Sequence, residues 1–125
     1  MQTHKLNILY VEPFYSGSHK QWIDAYQKYS IHNIHILSLP GKKWKWRMHG
    51  GAITLAKEYN KFKNTFDIIL CSDMLNLPIF KSLCDDSLSN SKVAMYFHEN
   101  QLSYPWSPLD QDLELKRDLH YYYIN

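Results

Sequence analysis

The residues best equipped for chemistry stand together as His98-Glu99-Asn100-Gln101. The run Lys92 to Phe97, with apolar Val93-Ala94-Met95, precedes them and reads as a strand, and Leu102-Ser103-Tyr104-Pro105-Trp106 follows as a loop. An imidazole, a carboxylate and two amides can donate, accept and exchange protons. Open α/β sheets bind ligands beyond the carboxyl ends of their strands, so this position suits a sugar or a nucleotide. A solvated loop with an incidental histidine is the competing account.

Two further stretches carry chemistry. In Glu12-Pro13-Phe14-Tyr15-Ser16-Gly17-Ser18 a strand runs through a glycine-containing turn into a helix, with Ser18 as its expected N-cap. Backbone N–H groups at such a helix start can face an anion, although an ordinary strand-to-helix turn looks the same. Lys42-Lys43-Trp44-Lys45-Trp46-Arg47-Met48-His49 interleaves cations with indoles, without a pattern that would bury both tryptophans. Cations neutralise phosphates, indole faces stack on bases, and Arg47 can do either, which suits RNA or another acceptor. Tryptophans folded onto the core beside solvated lysines are the alternative.

The elements that must position these groups alternate in type. Leu6–Val11 is a strand, His19–Tyr29 a helix with Trp22, Ile23, Tyr26 and Tyr29 at helical spacing, and Asn33–Leu39 a strand closed by Pro40-Gly41. A helix is expected over Ala52–Lys63 after Gly50-Gly51, then a strand over Asp67–Cys71 ending in Ser72-Asp73. Leu75–Leu83 reads as a helix with Pro78 in its first turn, Asp85–Ser91 as a loop, and Lys92–Phe97 as the fourth strand. Ser107-Pro108 resembles an N-cap and first helical residue, and the helix it opens runs to the last residue without a stop signal, as in a chain that continues. Short connections between alternating elements predict an α/β, Rossmann-like parallel sheet with helices on both faces. That topology brings the loops after the first and fourth strands, and Asp73 after the third, to one sheet edge.

At 125 residues the chain is one domain, able to bury roughly two-thirds of its unfolded surface. No apolar run approaches the ~20 residues of a membrane span. The stretch from Leu6 is broken too soon by Glu12 and Pro13 for a signal peptide, so a cytoplasmic protein is expected. Cys71 and Cys84 lack metal spacing and are too few for a disulfide scaffold, and Cys71 suits a core position. A net charge of +2 does not by itself argue for nucleic acid.

Four blocks, Phe14-Tyr15-Ser16-Gly17-Ser18-His19-Lys20-Gln21, Leu39 to Arg47, Ser72-Asp73-Met74-Leu75-Asn76-Leu77 and Tyr96 to Pro105, together resemble the N-terminal domain of the tRNA-queuosine α-mannosyltransferase family. The resemblance implies a retaining glycosyltransferase of the two-Rossmann-domain (GT-B) type, with no metal and no cofactor. It implies GDP-mannose as donor, queuosine of a tRNA anticodon as acceptor, and a partner domain C-terminal to this one that carries the nucleotide-binding residues and paired glutamates. Glu12, Glu58, Glu99 and Glu114 do not form that pair, so residues 1–125 are expected to be the acceptor-side half, inactive alone.

By similarity Gly17, Ser18 and His19 lie near the donor phosphates, and His98 near the donor sugar, with Glu99 as the second catalytic candidate. Ser16, Asp73, Asn100 and Gln101 complete the expected donor site, and Lys42, Lys43, Trp44, Lys45, Trp46 and Arg47 the tRNA surface. Where the family usually has two glycines in the first loop, this chain has Ser16-Gly17. A transferase acting on a non-RNA acceptor, or a non-catalytic RNA- or nucleotide-binding module, are the alternatives.

Overall fold

The computed structural model describes residues 4–62, 64–99 and 105–124, with the side chains of all but 122 and 123. Four parallel strands, β1 (Asn7–Tyr15), β2 (Asn33–Pro40), β3 (Ile68–Ser72) and β4 (Lys92–Tyr96), form one sheet in the order β2-β1-β3-β4. Helix α1 (Gly17–Tyr29) covers one face; α2 (Trp44–Tyr59) and α3 (Leu77–Leu83) cover the other. The fold is therefore the expected α/β, Rossmann-like arrangement.

Central β1 is apolar on both sides because both sides are covered. Ile8 and Tyr10 point to α1 and meet Ile23 and Ile34. Leu9 and Val11 point the other way, into a larger core with Leu55, Ala56, Tyr59, Ile69, Leu75 and Phe80. Full burial of each such aliphatic side chain contributes about 1.5–3 kcal/mol. Cys71 is fully buried in that core, as expected, and burial pushes its thiol up to about 12.

Several boundaries differ from those read in the sequence. Strand β1 runs on through Glu12–Tyr15, read as a turn, by means of a bulge: Glu12 pairs with Ser38 but Tyr15 with Pro40, so β1 carries one extra residue. Helix α1 starts at Gly17 with Ser16, not Ser18, as N-cap. Helix α2 starts at Trp44, so the basic-aromatic stretch is helical from Trp44 on, with Lys42 and Lys43 before it. Its buried residues, Met48, Gly51, Ala52, Leu55, Ala56 and Tyr59, form one stripe. Gly50-Gly51 lies inside that helix. A Cβ on Gly51 would stand 3.0 Å from Pro13 Cβ, so that glycine serves close helix–strand packing rather than a turn.

Near the end, Asp110 rather than Ser107 caps α4 (Gln111–Glu114), its carboxylate accepting from the Asp112 N–H. The single long helix expected there is two: Lys116 sits at φ 57, a left-handed value that ends α4 before α5 (Leu119–Ile124). Asp86–Asn90, read as loop, makes a short 3-10 segment. No helix among the described residues is long and apolar enough to cross a membrane.

Candidate functional site

Tyr10 and Glu12 stand two apart on β1 and share its α1-facing side. The bulge takes Phe14 out of the β1–β2 register, and its N–H donates to Glu12 Oε2 at 3.1 Å. Ser72, at the end of β3, donates its hydroxyl to the same oxygen at 2.7 Å. Oε1 accepts from the Tyr10 hydroxyl at 3.2 Å and from His19 Nδ1 at 2.8 Å. Glu12 is 0% exposed, and four donors from three elements satisfy its carboxylate.

His19, in the first turn of α1, is buried. Burial alone would lower its pKa, but the hydrogen bond and charge of Glu12, helped by Asp73 and Glu99, raise it above the ordinary histidine value. The His98 ring stacks on it, centroids 4.0 Å apart and planes 32° apart, with Trp22 edge-on at 5.7 Å. The Tyr10 proton goes to Glu12, so its lone pairs face His98 Nε2 at 3.5 Å. Burial and then the charge of His19 lower the His98 pKa, the opposite direction to the shift of His19.

Asp73 is 1% exposed and accepts the His98 backbone N–H at 3.3 Å, while its own N–H donates to the Tyr96 carbonyl at 3.2 Å. Its carboxyl therefore holds the loop after β4. Burial pushes it up to about 6, against the loop N–H groups and His19, which pull it down.

A cavity of about 460 Å3 opens at this sheet edge. Ser16, Gly17, Ser18 and His19 line it, with Glu99, Trp44 and Trp106. Ser16 makes no side-chain cap, and the first turn of α1 itself holds no acid, so its backbone N–H groups face the cavity without a side-chain cap. Gly17 adopts φ 54, open to glycine at no cost. Ser16 has extended backbone angles that any residue adopts. The close approach that needs a glycine lies across from it: a Cβ on Gly41 would stand 2.0 Å from Ser16 Cβ.

The expected donor-site residues thus gather in part. Ser16–His19 and Glu99 line the cavity; His98 lies behind His19, and Asp73 behind His98. Asn100 and Gln101 lie outside the described residues.

The basic-aromatic segment divides. Trp44 lines the cavity and packs on Trp106 and Tyr121, with centroids at 5.5 and 5.2 Å. Lys45 pairs with Asp110 at 2.7 Å and with Asp112, and lies over both indoles. Arg47 Nε donates to the Pro40 carbonyl at 3.0 Å. Lys42, Lys43 and Trp46, the last 72% exposed, face solvent.

Glu12 is the functional candidate that sequence reasoning missed. Its signal was present: an acid in a strand of apolar residues, two positions after Tyr10. Glu12, His19 and His98 bring ligand-type atoms within 4.8 Å of one another, as in a cation site. The hydrogen bonds argue otherwise: each carboxylate oxygen already accepts from two donors.

A parallel α/β sheet with an uncapped helix start, a histidine pair and an aromatic-lined cavity at its carboxyl edge defines a Rossmann-like ligand-binding unit. Residues 7–125 match the family described as tRNA-queuosine alpha-mannosyltransferase N-terminal, and the chain belongs to that glycosyltransferase family. It is 41% identical over 106 residues to the tRNA-queuosine alpha-mannosyltransferase of Drosophila melanogaster, a match covering 84% of this chain and 28% of that protein. No solved structure matches.

Proposed function

We propose that this chain is the acceptor-side domain of a retaining glycosyltransferase that moves mannose from GDP-mannose to queuosine in a tRNA anticodon. The observation that carries this reading is the juxtaposition of the uncapped α1 N-terminus and His19 with the Trp44 and Trp106 indoles around one cavity, in a chain of this family. A retaining transfer develops positive charge on the sugar ring and negative charge on the departing diphosphate. The N–H groups of Gly17, Ser18 and His19, and His19 in its protonated form, suit the phosphate charge. His98 keeps its expected role near the sugar, to whose hydroxyls an imidazole can donate or accept, although it stands behind His19 and would have to be reached past the cavity wall. Glu99, on the cavity wall, is the second candidate there.

Lys42, Lys43 and Trp46 are the outward part of the basic-aromatic segment and the reading's contact with the tRNA backbone; Trp44 serves the cavity instead. The nucleotide would be held mainly by a second Rossmann-like domain C-terminal to this one. Positioning both reactants supplies much of such a barrier, so the 125-residue chain alone should not turn over GDP-mannose. A tRNA acceptor fits a cytoplasmic protein, and the two-Rossmann-domain type to which the resemblance points would need neither metal nor cofactor.

The test is transfer by the full-length protein from GDP-mannose to queuosine-containing tRNA, read by nucleoside mass spectrometry. Mannosyl-queuosine is the expected product. Transfer to glycosides or lipids with tRNA untouched would overturn the acceptor, and no transfer with retained RNA binding would leave a binding module.

A further inference from the structure

We propose that Glu12 is the positioning residue of this site: from beneath the cavity it holds His19 with Nδ1–H on its carboxylate and Nε2 as the ring's remaining donor toward a phosphate anion. The inference rests on the donor reading above and deepens it, since nothing in that reading uses Glu12.

The geometry carries it. A carboxylate removed from water is costly unless donors surround it, and Glu12 has four. Three of these, Tyr10, Phe14 and Ser72, belong to the sheet and its bulge and fix the carboxylate as rigidly as the strands themselves. The fourth, His19, is the only one of them on α1, and it lines the cavity. With Nδ1 bound to an acceptor-only group, that nitrogen carries a proton in either charge state, and Nε2 gains or loses the other.

The groups facing His19 are known element by element. They are Tyr10 and Glu12 from β1, Asp73 after β3, and His98 and Glu99 after β4. Glu12 is the nearest anion, and Asp73 and Glu99 act at longer range in the same direction. The His98 face presses on His19, so the ring that Glu12 orients in turn orients His98. No bond is made or broken at Glu12.

The test uses the full-length protein, with ring 15N NMR for His19 and His98 and the pH profile of kcat/KM for GDP-mannose. In the unaltered protein, His19 should be the Nδ1–H tautomer when neutral; an Nε2–H tautomer would overturn the inference without any variant. Glu12→Gln keeps the shape and removes the charge. The His19 pKa should fall by about one pH unit or more. The limb of kcat/KM that falls as His19 loses its proton should move to lower pH by the same amount. Activity should approach that of the unaltered protein at low pH and drop about tenfold or more at neutral pH. An unmoved His19 pKa, or the same fractional loss at every pH, would overturn it. If Glu12→Gln does not fold, the tautomer decides. If mannose transfer is absent altogether, the donor reading fails while the tautomer and the His19 pKa still test Glu12.

Discussion

Gly41 and Ser16 are in backbone-close contact: a Cβ on Gly41 would lie 2.0 Å from Ser16 Cβ and 3.2 Å from Ser16 Cα. The end of β2 is thus pressed against the residue that starts α1. Gly41→Ala must push Ser16 aside and tilt the N–H groups behind it. Overpacking of this kind costs about 1–3 kcal/mol. The expected outcome is a lower thermal midpoint and weaker GDP-mannose binding by the full-length protein. Unchanged values of both would show that the loop yields freely.

His98 stacks on His19 and lies edge-on to Trp22, at the rim of the α1 face. In the full-length protein His98→Ala should lower kcat/KM by at least ~10²-fold, about the worth of one transition-state hydrogen bond. The melting temperature should hold, because the side chain is only half-buried. Steady-state transfer paired with a thermal melt checks both; near-normal kcat/KM would remove His98 from the sugar site.

Trp44 and Trp46 are near neighbours with different tasks. Trp46→Ala should leave the melt unchanged and cost roughly 1–3 kcal/mol of tRNA affinity by removing a stacking face. Trp44→Ala should weaken the packing with Trp106 and Tyr121 and lower the melt. Replacing Lys42 and Lys43 by alanine should flatten the salt dependence of tRNA binding, by about one in slope for each phosphate no longer neutralised. Equal salt slopes in stable variants would exclude this surface.

Asp73 and His19 make stability depend on pH in one direction. Burial raises the Asp73 carboxyl from 3.8 to about 6, so between those values the folded state binds more protons than the unfolded one, and stability falls as pH rises. The raised pKa of His19 gives stability that is present below 6.5 and lost as pH climbs through the folded value. Urea melts from pH 4 to 7 should show the decline, and Asp73→Asn should flatten its portion below pH 6. A variant with the same pH slope as the parent would sink this assignment.

The layered fold was legible because each strand is an apolar run and each helix has an apolar stripe. The gathering of three loops at one edge followed from parallel topology alone. The start of α2 was not, because Gly50-Gly51 reads as a breaker until Pro13 is seen pressing on Gly51. Nor was the break at Lys116, where a left-handed residue ends α4 without glycine. Lys45 looked free to meet RNA because Asp110 and Asp112, its partners, lie 65 and 67 residues further on. Glu12 looked like the end of a strand because its sheet-end donor, Ser72, is 60 residues away.

That last separation bears on how the protein is made. During synthesis β1 emerges first, with Tyr10, Phe14 and His19 available to Glu12 almost at once. Ser72 appears only when β3 is complete, and His98, which packs on His19, later still. Until then the acid is one donor short, and closing α1 over it is less favourable by about one hydrogen bond. A nascent chain that has only β1, α1 and β2 therefore lacks one of the four donors that this carboxylate has in the folded protein.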